Sequence, residues 1–315
     1  LRMLGLMQDW PLLCHRIIEH AALFHGTQEV VTRSIEGPIH RTNYREIRDR
    51  ALKVSQRLDR DGIRLGDRVA TIAWNTWRHL EVWYGIMGIG AVCHTVNPRM
   101  FPDQIAWILN HAQDRVVILD TTFVPILEKI ADKLPSVERY VVLTDKAHMP
   151  QTTLKNAVAY EDWIAEVDGN FKWKTFDENT AAAMCYTSGT TGDPKGVLYS
   201  HRSNVLHALM ANSGDSHGAN AADAMLPATF PTLFRGNPKI TTHTEQKQPY
   251  GYVDWWPLSL YVNNDVKPFD DRDVRWALSH YIDREQVVSV AFLGASQVSA
   301  LPLPPYGPLL PYFDA

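Results

Sequence analysis

The chain has 315 residues, of which 45% are apolar and 21% charged, so it can bury the core of one or two domains. A formal net charge of −4 argues against a general attraction to nucleic acid or anionic membranes. No run of about 18 or more apolar residues is present, so no membrane span is expected. Cys14, Cys93 and Cys185 lie far apart without a CxxC pair. That spacing indicates neither a disulfide framework nor a zinc site and fits a reducing, cytoplasmic setting. Leu1–Pro11 lacks a basic stretch followed by a long apolar run, which argues against a signal peptide.

The first part reads as alternating helix and strand. Asn43 with Glu46 forms a capping-box pattern. Tyr44, Ile47, Ala51, Val54 and Leu58 then recur at helical spacing, and Gly62 stops that helix. Arg68–Trp74 reads as a short strand and His79–Ala91 as a buried helix. Pro102–Ala112 is expected to be helical, Arg115–Asp120 a strand, Phe123–Leu134 a helix and Arg139–Thr144 a strand. Short apolar strands separated by helices indicate parallel βαβ units, which place ligands at the carboxyl ends of their strands.

Proline is sparse before residue 227 and dense after it. Tyr250–Asn263 reads as an aromatic strand. Asp270–Asp271 is placed to cap a helix carrying Val274, Ala277, Leu278 and Tyr281. Asp283 with Gln286 is placed to cap a second helix ending at Gly294. Leu301–Tyr312 holds Pro302, Pro304, Pro305, Pro308 and Pro311 and is expected to be an extended arm. The domains are expected to be 1–227 and 228–315.

The strongest local signal is Tyr186-Thr187-Ser188-Gly189-Thr190-Thr191-Gly192-Asp193-Pro194-Lys195-Gly196, after an apolar strand Ala181–Cys185. Its glycines let the backbone turn sharply. Thr187, Ser188, Thr190 and Thr191 supply hydroxyls, consecutive N–H groups can form an anion nest, and Lys195 adds a point charge suited to phosphate. The spacing is not that of a GxxxxGK[ST] loop, because Lys195 is followed by Gly196. A bland reading is a polar surface turn, but the fixed order of hydroxyls, glycines and lysine is too specific for one. His201 is a helix-start histidine that is either structural or near the nucleotide. Trp74, Trp77, Trp83 and Trp107 read as core aromatics.

This string resembles the signature loop of the adenylate-forming (AMP-binding) superfamily, which includes acyl-CoA synthetases, luciferases and peptide-synthetase adenylation domains. Asp67-Arg68-Val69-Ala70, Trp74-Asn75, Gly88-Ile89-Gly90-Ala91 and Val96-Asn97-Pro98 are similar to its early core, and Ser200-His201 to the continuation of the loop. The similarity runs from about Gly5 to about Pro227 and has the flavour of a fatty-acyl-CoA synthetase. The resemblance implies that Thr187, Ser188, Gly189, Thr190, Thr191, Gly192 and Lys195 bind the β- and γ-phosphates of ATP. It assigns Lys195 a catalytic part and implies Mg²⁺, coenzyme A and a fatty or other carboxylic acid as substrate. An α/β fold is expected, the truncated N-terminal region of such an enzyme with parallel βαβ units.

After Met225-Leu226-Pro227 the family pattern is not continued, and no later glutamate motif for Mg²⁺, aspartate motif for ribose or catalytic C-terminal lysine is found. The chain is therefore expected to be a poorly active ligase with open sheet edges and exposed apolar faces. From about Arg235 the sequence resembles an internal stretch of the peptide-type solute-binding proteins of ABC importers. The stretches that carry this likeness are Tyr261-Val262-Asn263-Asn264, Lys267-Pro268-Phe269-Asp270-Asp271 and Ile282-Asp283-Arg284. That resemblance implies a chimaera whose C-terminal part is an α+β fragment with an extended Pro-rich arm. An unrelated helical hairpin is the alternative.

Overall fold

The computed structural model describes residues 5, 7, 9–187, 193–212, 234–235, 238–239 and 266–291. The chain divides into two compact units, Leu1–Gly218 and Ala219–Ala315, a boundary slightly before the expected one at 227.

The first unit is built on a seven-stranded sheet with strand order β7-β6-β5-β3-β4-β8-β9. Its strands are β3 (Arg68–Ile72), β4 (Val92–Thr95), β5 (Val116–Leu119), β6 (Arg139–Val142), β7 (Ala157–Ala159), β8 (Ala181–Thr187) and β9 (Lys195–Ser200). All neighbours run parallel except β8 and β9. A separate hairpin of β1 (Glu29–Arg33) and β2 (Ile39–Asn43) precedes it.

Strand alternation divides the core into two layers. Val69, Val116, Ile118, Val141 and Leu143 face α2 (Tyr44–Arg60), α3 (Trp77–Gly88) and α6 (Tyr160–Ala165). Ala70, Ile72, Val117, Leu119, Tyr140 and Val142 face α4 (Pro102–Ala112) and α5 (Val124–Glu128). The chain moves one way from β3 to β4 and the other way from β4 to β5. Crossovers of one hand then put α3 and α4 on opposite faces. The strand ends of β3 and β4 thus form a switch point, the place where open α/β sheets bind ligands. α1 (His15–Phe24) packs outside this frame through Ile18, beside Ile47, Ala51 and Trp173.

Local chemistry explains most boundaries. Asn43 Oδ1 accepts from Glu46 N–H at 3.0 Å and starts α2. The other half of the expected capping box is replaced, because Glu46 accepts from the Thr42 hydroxyl at 2.7 Å. Gly62, at φ +83°, ends α2 in a Schellman motif: Ile63 N–H bonds Leu58 O and Gly62 N–H bonds Asp59 O. α2 and α3 approach closely because Gly85 lies against Val54 and Ala51.

Several expectations are corrected. The predicted helix 123–134 is α5 flanked by 3₁₀ turns at Thr121–Phe123 and Ala131–Lys133. Leu127, Ile130 and Leu134 are nonetheless all buried. Trp74 and Trp83 are 43% and 38% exposed, whereas Trp77 is buried and Trp107 packs half-buried against the core layer facing α4. Trp74 instead lies on Phe123, ring centroids 5.2 Å apart, at the rim of the strand-end face. The expected exposed apolar edge is present: β9 leaves Val197, Leu198 and Tyr199 in solvent.

In the second unit, the two expected helices run Arg272–Tyr281 and Arg284–Ala291. Asp271 Oδ1 accepts from Asp273 N–H at 2.8 Å, and Asp283 Oδ1 from Gln286 N–H at 2.9 Å. The expected strand 250–263, the end of the second helix at Gly294 and the arm 301–312 lie outside the described residues.

Candidate functional site: the β8–β9 strand end

β8 is parallel to β4, so its last residue, Thr187, lies at the carboxyl edge of the sheet. β9 returns antiparallel, with Thr187 paired to Lys195 and Tyr186 to Gly196. The Thr187 hydroxyl donates to the Lys195 carbonyl at 3.4 Å. Both side chains are exposed. The two strands therefore close the ends of the segment 188–194 and hold one hydroxyl and one ammonium beside it. Of the predicted phosphate-binding residues, Thr187 and Lys195 are brought together here, while Ser188, Gly189, Thr190, Thr191 and Gly192 lie outside the described residues.

A group of polar and aromatic side chains supports this strand end from the α4 side. The Tyr186 hydroxyl is 2.6 Å from His111 Nδ1. His111 stacks on Trp107, centroids 4.6 Å apart. Beneath the Tyr186 ring is His94, 5.1 Å away, which is fully buried and bonded through Nδ1 to Asp114 Oδ2 at 2.6 Å. Burial pushes the Asp114 carboxyl up from its ordinary range. On the other face of β8, Thr95 Oγ1 and Cys185 Sγ are 3.0 Å apart.

His201 opens α7 (His201–Ala211), capped by Ser200, whose side chain accepts from Ser203 N–H at 3.0 Å. The His201 ring is buried and accepts the Cys14 N–H on Nδ1. Burial pulls its pKa down to about 4. The ring ties the N-terminal segment to the sheet.

A second charged group lies at the carboxyl ends of β5 and β6. Arg78 Nη1 donates to Glu36 at 2.7 Å and its Nε to Glu161 at 2.9 Å, while Thr144 donates to the same Glu36 oxygen at 2.7 Å. Arg50 donates to Glu81 at 2.8 Å and to Glu161, and the Tyr160 hydroxyl to Glu81 at 2.7 Å. Glu81 is fully buried, and desolvation raises its pKa to about 7. Three carboxyls thus face two guanidiniums. Beside them Asp120 accepts the Trp74 N–H at 2.6 Å, and burial raises its pKa to about 6. Its partners come from α2, α3, α6 and the β1–β2 turn, so this network holds elements together at the edge of the sheet.

A family model for AMP-binding enzymes matches residues 18–234. The chain belongs to the AMP-binding enzyme family. Among the similar curated proteins of this AMP-binding enzyme, the 3-methylmercaptopropionyl-CoA ligase of Ruegeria lacuscaerulensis is 45% identical over 225 residues. The medium-chain-fatty-acid–CoA ligase of Ectopseudomonas oleovorans is 46% identical over 225 residues. Each alignment covers 71% of this chain but only 42% and 41% of the relative, so the chain spans about two fifths of their length. The solved structure of the anthranilate CoA ligase AuaEII in complex with anthranoyl-AMP aligns with a TM-score of 0.56 and 24% identity. It covers 65% of this chain and 37% of that one, a likeness of fold.

Other expectations about the AMP-binding enzyme can be placed as well. Cys14, Cys93 and Cys185 are free thiols, as their spacing implied. Among the described residues no helix is long and apolar enough to cross a membrane, and no cluster of three His, Cys, Asp or Glu could hold a metal ion. The support beneath Tyr186 was not legible in sequence. Its one signal is His94, a polar residue inside the apolar run Val92-Cys93-His94 where strand alternation places it in the core.

Proposed function

We propose that the segment Thr187–Lys195 binds the β- and γ-phosphates of ATP and that the chain descends from an ATP-dependent acid–CoA ligase. The observation that carries this is the Thr187–Lys195 pair, which closes the segment 188–194 at the carboxyl edge of a parallel sheet. The donor set fits a polyphosphate. An exposed ammonium and an exposed hydroxyl flank a run with further hydroxyls and glycines, which suits an anion that needs both charge and close backbone approach. Ser188, Gly189, Thr190, Thr191 and Gly192 would supply amides and hydroxyls, and Lys195 the fixed charge. Mg²⁺ would ride on the phosphates.

The reaction proposed is two-step. A carboxylate attacks the α-phosphorus and displaces pyrophosphate, giving an acyl-adenylate. The thiol of coenzyme A then attacks the acyl carbon and releases AMP. Charge moves among phosphate oxygens in the first step, so the contribution of Lys195 and the loop donors is positioning and electrostatic stabilisation. The relatives are named for medium-chain fatty acids and for 3-methylmercaptopropionyl-CoA, which supports a carboxylic acid with an apolar tail as substrate class.

Residues 1–315 alone are proposed to turn over poorly, since they match only about two fifths of the relatives' length. ATP–pyrophosphate exchange with a panel of fatty acids tests this, and robust exchange would overturn it. Calorimetric titration with MgATP tests the phosphate reading. Lys195→Ala is expected to weaken binding at least about tenfold, by loss of a charge-assisted contact. Equal affinity in the two proteins would sink the assignment. The family match ends at residue 234 and does not reach the two capped helices beyond it, and no comparison supports a solute-binding reading of the tail.

A further inference from the structure

The phosphate reading leaves one set of side chains unused. His94 and Asp114 form a fully buried pair, and both His94 Nε2 and Asp114 Oδ1 lack a hydrogen-bond partner among the described residues. Burying two such groups costs free energy. What their placement does provide is a rigid polar ring directly beneath Tyr186.

Tyr186 is held from three sides. His94 lies under its ring, 5.1 Å between centroids and inclined at 49°. His111 meets its hydroxyl at 2.6 Å and is itself stacked on Trp107 at 14° between planes. On the neighbouring strand Gly196 leaves room for the ring, because a Cβ there would sit 3.1 Å from Tyr186 Cζ. The next residue is Thr187, whose pairing with Lys195 begins the loop. Strand alternation turns the Tyr186 side chain toward α4 and the Thr187 side chain to the opposite face. Fixing one therefore orients the other.

We propose that His94 and His111 are positioning residues that lock Tyr186 and, through it, the orientation of Thr187 at the start of the phosphate-binding segment. This rests on the reading of residues 187–195 as a polyphosphate site. A loop whose first residue is already oriented loses less conformational freedom when the anion binds. The Asp114 carboxylate keeps the His94 ring in one orientation, and the Trp107 stack does the same for His111.

The test uses the full chain, titrated calorimetrically with magnesium tripolyphosphate and with MgATP, the melting temperature being recorded for every variant. Tyr186→Phe removes the hydroxyl and keeps the ring, and His111→Ala removes the partner of that hydroxyl. Each is expected to weaken tripolyphosphate binding about three- to tenfold, the range for one lost hydrogen bond. His111→Asn, which keeps a hydrogen-bonding atom near the Nδ1 position, is expected to restore most of that affinity. Tyr186→Leu also loses the contact with the His94 ring and is expected to bind more weakly than Tyr186→Phe.

If Lys195→Ala weakens binding while Tyr186→Phe and His111→Ala leave it unchanged, the positioning inference fails and the phosphate reading stands. His111→Asn binding as weakly as His111→Ala overturns the part given to His111. Equal affinity of Tyr186→Leu and Tyr186→Phe overturns the part given to His94. If the unmodified chain binds neither probe, or Lys195→Ala has no effect, both readings fall together.

Discussion

The Cys14 N–H donates to His201 Nδ1 at 3.1 Å, joining residues 187 positions apart. That contact fixes the tautomer: Nδ1 accepts, so the proton sits on Nε2, which is buried without a partner among the described residues. Nearby, His15 is also buried, and its pKa is pulled down to about 3 by burial and by Arg16.

Both histidines must be neutral in the fold, so acid weakens it. Their folded pKa values, about 4 for His201 and about 3 for His15, lie below the ordinary value of 6.5. The stabilisation is complete above about pH 6.5 and is lost as pH falls toward 4 and 3. Urea unfolding between pH 7 and pH 4.5 is expected to show this loss. His201→Asn, which keeps an acceptor for Cys14, is expected to reduce the slope. An unchanged slope would contradict the burial account of His201.

Glu81 works in the opposite direction. Its pKa rises from 4.5 to about 7 because burial outweighs the attraction of Arg50. Its contribution is present in full below about pH 4.5 and is lost as pH rises through about 7. Glu81→Gln is expected to remove that loss between pH 6 and 8. Glu81→Leu removes one of the two carboxyls that Arg50 bonds and leaves the Tyr160 hydroxyl without its acceptor, and is expected to cost about 1–3 kcal/mol. Denaturant midpoints at both pH values check the pair.

Gly85→Ala probes the α2–α3 contact. An added Cβ would lie 2.5 Å from Val54 Cγ1 and 3.0 Å from the Ala51 carbonyl oxygen. Because backbone as well as a side chain must move, the expected cost is about 1–3 kcal/mol. Gly62→Ala forces an L-residue to φ +83° at the Schellman turn and is expected to cost about 1 kcal/mol. Thermal melts of both variants decide; a neutral Gly85→Ala would mean the two helices separate at little cost.

Phosphate binding through Lys195 is expected to depend on salt, since the ammonium is exposed. Raising ionic strength from about 0.01 M to 0.15 M shortens the screening length from about 30 to 8 Å. MgATP affinity is expected to fall over that range in the unmodified chain and to fall less in Lys195→Ala. Equal salt slopes would remove Lys195 from the phosphate contact.

Elements with local signals were legible in the sequence. Pro102–Ala112 is the helix that its proline start and apolar spacing predict, and Gly62 closes α2 as a glycine at that place should. The motif at 186–196 is sharp enough in its order of hydroxyls, glycines and lysine to point to the family that the match to residues 18–234 then established. Where spacing misled, it reported burial rather than backbone. Leu127, Ile130 and Leu134 fill the core as a helical stripe would, yet the helix ends at Glu128. Tryptophan content misled in the same way, because ring size says nothing about which side of α3 Trp83 occupies.

By itself the amino-acid order determined the alternation of strands and helices, the caps that bound them and the 186–196 motif that points to the family. Each of these is written within a dozen neighbouring residues. Only the tertiary structure decided that β4 and β8 lie side by side, that His94 and Asp114 meet beneath Tyr186, and that His201 bonds Cys14. Those relations join residues far apart in the chain, and burial, which sets their protonation, exists only once the sheet and its two helical layers have assembled.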